Sequence, residues 1–307
     1  MPLGTNNVTV TTAATFIPEV WSDEIVAAYK KSLVMANLVK KVNFKGKKGD
    51  TVHLPSPTRG EASAKTAGNQ VTLIAATEGD IAVTIGSHFE YSRLIEDIVE
   101  AQALSSLRQF YTDDAGFALA KKVDTSLIQL ARGARGGTAG NAQYSGGIIG
   151  STGAAYTYSS SNAANIADAG IRTAIQLLDD QDVPMDGRSL VVPPVARNSM
   201  LGINRFTEQA FKGTGSTLMN GEFGDIYGVK VFVSTNCDTA AGNTATDRVA
   251  LMFHRDWAVL VEQLGVRSQT QYKQEYLGTL FTADTLYGVS ELRDYGAVPI
   301  VVDASAA

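Results

Sequence analysis

The sequence has few of the residues from which catalytic and metal sites are built. Its 307 residues include one cysteine, Cys237, and three histidines at positions 53, 88 and 254. A single cysteine excludes an intrachain disulfide and any multi-cysteine zinc or iron–sulfur site, and three scattered histidines leave little for a histidine-rich metal centre. No Gly-x-Ser-x-Gly nucleophile motif is present. We therefore predict that the chain is not an enzyme and has no cofactor and no catalytic or metal site.

The charge and the hydropathy of the chain exclude further classes of function. The net charge of −5 has the wrong sign for a general nucleic-acid binder. No stretch approaches the roughly 18 apolar residues that span a membrane, and residues 1–18 lack the basic start and apolar run of a signal peptide. We expect a soluble protein without a membrane partner, made in a reducing cytoplasm. With 44% hydrophobic residues, the chain has enough apolar side chains for one large domain or two ordinary ones.

Residues 1–45 are predicted to form an arm followed by a helix. Small and polar residues fill positions 1–17, and Pro18 then opens the helix. The apolar stripe of this helix has a four-residue spacing and is formed by Trp21, Ile25, Tyr29 and Leu33. Because a helix on a loose arm has no core of its own, we expect it to pack on another subunit through residues such as Trp21 and Tyr29.

Residues 46–90 are predicted to form a long β-hairpin. Alternating apolar residues indicate its two strands, Val52 and Leu54 in the first and Ile81, Val83 and Ile85 in the second. The tip, 58–70, has small residues and three charges, Arg59, Glu61 and Lys65, so it cannot bury itself. A two-stranded ribbon is only marginally stable alone. We therefore expect the tip to make polar contacts with a neighbouring subunit through these three charged residues.

The strongest helical pattern lies between Leu94 and Arg132, and it predicts a helix over about Ser105 to Gly133. Apolar residues recur there at steps of three and four, namely Leu104, Leu107, Tyr111, Ala115, Leu119, Val123, Leu127 and Leu130. Such a helix would be about 43 Å long, at roughly 1.5 Å per residue. Lys121 and Lys122 are expected on the solvent-facing side of this helix. Gly116 predicts a kink or a close crossing with another element, because glycine weakens a helix interior.

Shorter elements fill the rest of the chain. Residues 133–162 have no helical period and are expected to form a loop or hairpin region. Helices are predicted over 163–180 and 195–206, and strands over 189–192, 228–234, 248–253, 257–261, 269–276, 279–286 and 297–302. Helices and strands interleave too irregularly for a doubly wound parallel sheet, so we predict an α+β fold.

Several motifs imitate known chemistry but fail on spacing or order. His254-Arg255-Asp256 resembles a kinase catalytic loop, yet Val261 stands where that loop needs asparagine. We expect a charged turn between two strands there. Residues 46–51 have P-loop residue types in the wrong order, and the aspartates at 179, 180, 182 and 186 lack the order of a calcium loop. Cys237 is expected to be a small buried residue.

Seven lysines and no acidic residue occur between Ala27 and Gly49, at positions 30, 31, 40, 41, 45, 47 and 48. Two interpretations stay open for this basic stretch. It is either a solvated basic face or an electrostatic contact to an acidic partner surface or packaged nucleic acid.

The order of these parts resembles the major capsid (coat) proteins of tailed bacteriophages, whose shell fold is shared with herpesvirus capsids and encapsulins. The similar stretches are Phe16-Ile17-Pro18-Glu19-Val20-Trp21-Ser22, the segment 178–194 with Val183-Pro184, Gly187-Arg188 and Pro193-Pro194, the strand 225–231, and the late strands 249–256 and 285–288. The resemblance spans nearly the whole chain and depends on the order of these motifs.

This resemblance implies a tailed-phage major capsid fold with five segments. They are the N-terminal arm and helix (1–45), the extended β-ribbon loop (46–90), the peripheral domain with a long spine helix (91–145), the axial domain (146–248) and the late strands returning to the peripheral domain (249–307). The implied function is a structural one: self-assembly, as pentamers and hexamers, into the icosahedral shell that encloses a bacteriophage genome. A weak contact repeated many times would stabilise such a homo-oligomeric container by avidity.

The implied partners are scaffold, portal and decoration proteins, and packaged double-stranded DNA that is bound non-specifically inside the shell. The implied location is the virion capsid, assembled in the host cytoplasm. Three alternatives stay open. The first is an encapsulin-type nanocompartment shell, which encloses an enzyme cargo rather than a genome. The second is a small-ligand or glycan-binding module, which the glycine- and threonine-rich loops permit. The third is a hydrolase without recognised motifs.

Overall fold

The structure is a computed structural model of the chain. It describes residues 34–46, 48–57, 60–71, 73, 78–97, 106–138, 144–156, 163–203, 206, 224–240 and 247–303. The arm and helix predicted within residues 1–33 lie outside these ranges.

The described residues form four α-helices and twelve β-strands. The helices are α1 (Met35–Leu38), α2 (Ser106–Leu130), α3 (Asp168–Asp179) and α4 (Pro194–Leu201). The strands are β1 (Lys40–Asn43), β2 (Thr51–Pro57), β3 (Glu78–Thr84), β4 (Ser87–Glu96), β5 (Ile149–Gly150), β6 (Arg188–Val192), β7 (Asp225–Ile226), β8 (Val229–Val233), β9 (Arg248–His254), β10 (Ala258–Lys273), β11 (Gly278–Glu291) and β12 (Ala297–Val302). None of the described helices is long and apolar enough to cross a membrane.

A six-stranded mixed sheet holds the largest apolar runs of the chain. Its strand order is β5-β12-β9-β6-β8-β7, with parallel pairs at β5–β12 and β6–β8. Helices α3 and α4 cover one face, where Ile171, Leu178 and Met200 pack against the sheet. Leu127 and Ile128 of α2 pack in the cluster on its other face. Because both faces are covered, β6 and β12 are buried along their whole length, as in sheets with continuous apolar strands.

A four-stranded sheet with the order β1-β10-β11-β4 lies beside it. β1 runs parallel to β10 and pairs with it only over Val259–Glu262. Beyond this point the pairing of β10 with β11 shifts register twice, between Glu262 and Leu264 and between Leu264 and Arg267. Among the described strands, none pairs with the other edge of residues 266–273. The sheet is therefore three-stranded at this end.

The long helix α2 packs across the four-stranded sheet. Ala115 and Leu119 are buried against Phe281 and Ala283 of β11, and Leu127 is buried in the cluster that contains Tyr287. The helix has 25 residues, which makes it about 37 Å long. The predicted helix and its apolar stripe are thereby confirmed at these positions. Of the two alternatives predicted at Gly116, the close crossing is wrong, because a Cβ built there would meet no atom within 4 Å, and the kink stays a prediction.

β2 and β3 form a separate two-stranded antiparallel sheet, as the alternation around Val52 and Val83 predicted. Its base packs on the four-stranded sheet, where Val83 and Ile85 are buried against Val259 and Val261. Away from the base, the described residues 60–71 and 73 that connect the two strands are exposed. We call them the ribbon connection.

Several predicted elements have different bounds in the structure. The helix predicted over 163–180 is Asp168–Asp179, and the strand predicted over 279–286 is Gly278–Glu291. The strands expected over 257–261 and 269–276 are one strand, β10, because its ladder with β11 continues through the two register shifts. The helix expected to reach Phe206 ends at Leu201, where Gly202 follows. β9 and β12, from the predicted last segment 249–307, pair with each other and, through β6, with the preceding segment. The domain boundaries stay a prediction.

Candidate assembly surface

Glu61 and Lys65 lie on the ribbon connection, as predicted, and both are exposed. Neither forms a hydrogen bond or an ion pair within the part of the chain that the structure describes. The other three predicted contact residues, Arg59, Trp21 and Tyr29, lie outside the described residues. The contacts of these five residues with a neighbour therefore stay a prediction.

The ribbon connection also exposes two apolar side chains that the sequence reasoning passed over. Val71 is 60% exposed and Leu73 is 88% exposed. Their spacing of two residues is the one by which an extended chain presents side chains on the same side. Both residues directly follow the polar tip in the sequence, so their apolar character was visible there.

The free end of the four-stranded sheet forms a second exposed surface. It consists of residues 90–96 of β4, 266–273 of β10 and 278–284 of β11, and we call it the three-stranded tip. At its end a short 3₁₀ turn exposes Tyr276 (64%) and Leu277 (67%). Leu277 has a φ of 44°, a left-handed conformation that leucine rarely adopts. Its carbonyl accepts a hydrogen bond from the amide of Asp97 at 2.9 Å, which holds the turn against β4.

Aromatic and charged side chains fix the three-stranded tip to α2. The Tyr91 hydroxyl donates to Asp114 of α2 at 3.0 Å, and the Arg93 guanidinium lies 4.6 Å from the centre of the Tyr111 ring. Burial, and then the bond to Asp114, raise the pKa of Tyr91. Since the helix and the strand are joined in this way, the tip is held at a defined position.

A charged cluster joins the three strands of the tip where β10 shifts register. Arg267 of β10 donates two hydrogen bonds, at 2.7 and 2.9 Å, to the carboxylate of Asp284 on β11. His88 of β4 lies 3.1 Å from the same carboxylate. The hydrogen bonds from Arg267 lower the pKa of Asp284. A bidentate pair of this kind sets the register of β10 against β11.

A buried carboxylate joins α2 to the start of the described chain. Asp124 accepts hydrogen bonds from the amide of Met35 at 2.8 Å and from the side-chain amide of Asn236 at 2.9 Å. Burial raises the pKa of Asp124. The sequence did not single out this residue, because its partners are 89 and 112 residues away.

The two sheets meet at Trp257 and the neighbouring turn at Asp294–Gly296. Trp257 is buried, and its indole N–H donates to Glu291 Oε1 at 2.7 Å. Burial of Glu291 raises its pKa to about 7. A cavity of about 240 Å³ lies beside this contact, between the loop 181–183 and the turn 293–296.

The residues whose sequence resembles catalytic motifs make structural contacts within the fold. Nε2 of His254 bonds the carbonyl of Asp186, and its Nδ1 accepts from the amide of Asp256. The triplet 254–256 is therefore a charged turn between β9 and β10, as predicted. Cys237 is buried, which raises its pKa to about 12 and leaves its thiol protonated. No cluster of three or more side chains that could hold a metal occurs among the described residues.

Comparisons with known proteins give the family and the fold of the chain. Residues 24–302 match the model of a phage capsid protein family. The fold is similar to a solved structure from Mycobacterium phage Che8, with 22% identity, a TM-score of 0.74, and coverage of 97% of this chain and 98% of that chain. A capsid structure of the cyanophage P-SCSP1u is similar at 18% identity and a TM-score of 0.75, over 99% and 97% of the two chains.

A mature capsid of bacteriophage PhiM1 is similar at 13% identity and a TM-score of 0.72, over 93% and 92% of the two chains. At these identities the structural matches show the fold. No curated protein matches the chain. The comparisons give no support to the compartment-shell, ligand-binding or hydrolase alternatives.

Proposed function

Because the chain belongs to the phage capsid protein family, we propose that its ribbon, residues 46–90, overlaps a neighbouring subunit in the shell. The chain is a structural major capsid protein of the virion and not an enzyme, since the family is one of shell components. The observation that carries the proposal is the ribbon connection, whose described residues are all exposed. A two-stranded ribbon is marginal by itself, so a covering surface from another copy stabilises it.

The base of the ribbon supports this role because it is fixed to the subunit's own sheet. Val83 and Ile85 are buried against Val259 and Val261 of β10. Within the ribbon, the amide of Ile85 donates to the Asp50 carbonyl at 2.7 Å and joins the two ends of the ribbon. Gly288 of β11 lies so close that a Cβ there would be 2.6 Å from the Thr84 carbonyl oxygen. Only glycine permits this approach. A fixed base aims the ribbon connection in one direction, as an overlap with a specific neighbour requires.

The remaining finer assignments belong to the same proposal. The segment 91–145 would form the peripheral domain around the spine helix α2, and 249–307 would return to it. The segment 146–248 would form the axial domain, which gathers around the five-fold and six-fold axes of pentamers and hexamers. An N-terminal arm, residues 1–45, would pack on another subunit.

The proposed partners follow from the family. They are scaffold, portal and decoration proteins during assembly in the host cytoplasm, and double-stranded DNA inside the finished shell. Lys40, Lys41 and Lys48 are exposed and belong to the basic stretch between Ala27 and Gly49. Contact of these lysines with DNA phosphates would be independent of sequence.

Replacement of residues 58–70 by a short Gly-Ser turn tests the overlap. This change keeps Val71 and Leu73 and removes no buried side chain among the described residues. The melting temperature of the unassembled subunit should stay close to the parent value, while free subunits or aberrant sheets replace closed shells. As a length-matched control, serine at Ala62, Ala64 and Ala67 should leave closed shells intact. A large drop in subunit stability, or normal closed shells from the shortened chain, contradicts the proposal.

A further inference from the structure

We infer that Val71 and Leu73 of one subunit are the apolar anchor that binds the three-stranded tip of a second copy, with Lys65 facing the acidic rim of that tip. This inference rests on the proposed overlap of the ribbon and adds to it the residues that bind and the surface that receives them.

The distribution of exposed apolar side chains points to these two surfaces. The described part of the chain exposes ten large hydrophobic side chains. Two of them are Val71 and Leu73, and five are at the three-stranded tip or its end: Leu94, Val266, Tyr272, Tyr276 and Leu277. Tyr272 pairs with Thr279 and Leu94 pairs with Leu280, so these two side chains lie on opposite faces of the sheet. Because exposed apolar surface is unfavourable in water, a contact between the anchor and the turn with Tyr276 and Leu277 removes the part of it at the end of the tip.

One charge on the ribbon connection is opposite in sign to the end of the tip. Residues 60–73 contain one basic residue, Lys65, and one acidic residue, Glu61, so the segment is neutral overall. The end of the three-stranded tip carries three acids, Glu96, Asp97 and Glu275, and one lysine, Lys273, so its net charge is −2. Within the described part of the chain, Lys65 and Glu275 form no ion pair. A lysine that approaches this rim would set the register of the contact.

The occupant of the tip is a second copy rather than the same subunit. The base of the ribbon is fixed by Val83 and Ile85, and the described residues of the ribbon connection are exposed in the subunit itself. The anchor and the tip are different surfaces, so their contact is head-to-tail. Head-to-tail contacts between copies close into rings when the rotation permits, which is the geometry of a capsomer.

The first test removes each apolar surface separately. One variant carries Val71→Ser and Leu73→Ser, and the other carries Tyr276→Ser and Leu277→Asn, since asparagine tolerates a left-handed φ. Each should lower the fraction of protein in closed shells at least tenfold, measured by sedimentation and electron microscopy. The melting temperature of the unassembled subunit should not change. Met185→Ser is the matched control, because Met185 is 72% exposed but lies on the loop after α3, and it should assemble like the parent.

The second test uses charge reversal to show direct contact. Lys65→Glu alone and Glu275→Lys alone should each reduce assembly, and the two changes combined should restore it. If the combined variant assembles no better than the single variants, the two residues do not face each other and the inference is wrong.

The third test identifies the occupant by cross-linking purified protein. Single-cysteine variants Leu73→Cys and Tyr276→Cys are made separately in a Cys237→Ala background, mixed, assembled and oxidised. Disulfide-linked dimers of the two variants are expected. If such dimers are absent from well-formed shells, the tip binds something other than the anchor of a second copy.

Failure of this inference is distinguishable from failure of the proposed overlap. If Val71→Ser with Leu73→Ser assembles normally while replacement of 58–70 abolishes closure, the anchor is wrong and the overlap stands. If both variants form normal shells, the anchor and the proposed overlap are both wrong.

Discussion

The six-stranded sheet and the three-stranded tip show two uses of β-structure within one chain. All residues of β6 and β12 are buried between helices and the rest of the core. The strand β10 begins in the same way, with Ala258–Val261 buried, but its residues 266–272 are exposed. The first region is stabilised by contacts within the subunit. The second, like the ribbon connection, is exposed in the subunit, and we propose that it contacts other copies.

The sequences of the strands explain why one region is buried and the other is exposed. β12, with the sequence AVPIVV, is a continuous apolar run, as expected for a strand that is covered on both faces. The exposed part of β10, residues 266–272, has the sequence VRSQTQY, with polar side chains on both faces between Val266 and Tyr272. Strand pairing with β11 holds this part in place, and the cluster of Arg267, Asp284 and His88 fixes its register. The tip is therefore held by strand pairing, by this cluster and by the packing of Phe281 and Ala283 against α2.

The largest expected effect comes from a charge where the long helix meets the tip. Leu119 of α2 is buried against Phe281 and Ala283, and an unpaired buried charge costs several kcal/mol. We expect Leu119→Asp to give little folded protein by circular dichroism and no shells. Ala120→Asp, exposed on the next position of the helix, is the control and should fold. A Leu119→Asp protein that assembles like the parent would show that the apolar face of the helix is misassigned.

Leucine-to-alanine substitutions in the two regions should affect different quantities, the stability of the subunit in one region and the yield of shells in the other. Leu190→Ala in the six-stranded sheet should lower the free energy of unfolding by about 2–5 kcal/mol, because it leaves a cavity in a closed core. Leu73→Ala on the ribbon connection should change it by less than about 0.5 kcal/mol, yet reduce shell yield. Chemical denaturation of unassembled subunits measures the first quantity. Similar losses of stability in both variants would remove the distinction between the regions.

A smaller effect should appear as a pH dependence where the two sheets meet. The folded pKa of Glu291 is about 7 and its ordinary value is 4.5, so the folded state holds the proton more tightly. Its contribution to stability is full below pH 4.5 and is lost as the pH rises towards 7. Glu291→Gln keeps an acceptor for the Trp257 indole and carries no charge.

Urea unfolding between pH 4 and pH 8 would measure this contribution. The Gln variant should match the parent near pH 4 and be more stable than the parent near pH 8. Parallel stability curves for the two proteins across this range would show that Glu291 titrates normally.

The smallest effect is expected at Cys237, in the core next to the six-stranded sheet. Cys237 is buried, with a pKa raised to about 12, so its thiol is not available for oxidation. Cys237→Ala should assemble like the parent with or without reductant. Covalent multimers on a non-reducing gel that vanish in the variant, together with weaker shells, would instead indicate a disulfide between subunits.

The sequence predicted those elements whose signal is local. The strands 248–254 and 297–302 are short apolar runs bounded by polar residues, and α2 has a stripe several turns long, so each was found with nearly its observed bounds. The continuity of β10 was missed because its register shifts interrupt the alternation of side chains. That ladder depends on β11, which the residues of β10 alone do not encode.

The candidate surface was predicted less completely than the fold. The charges of the ribbon tip suggested Glu61 and Lys65, but exposure of Val71 and Leu73 depends on which residues find partners elsewhere in the chain. Asp124 was missed for the same reason, since the amide of Met35 reaches it only after folding. The function was predicted from the family resemblance, because no single residue pattern of this surface specifies a shell.

Hydrogen exchange of the unassembled and assembled protein tests the central claim most directly. The claim is that the six-stranded sheet is stabilised within the subunit, and that the ribbon and the three-stranded tip are stabilised by other copies. Amides of β6, β9 and β12 should be equally protected in both states, while those of β2, β3 and 266–273 should gain protection on assembly. Equal gains in all strands, or no gain in the ribbon and the tip, would contradict the account.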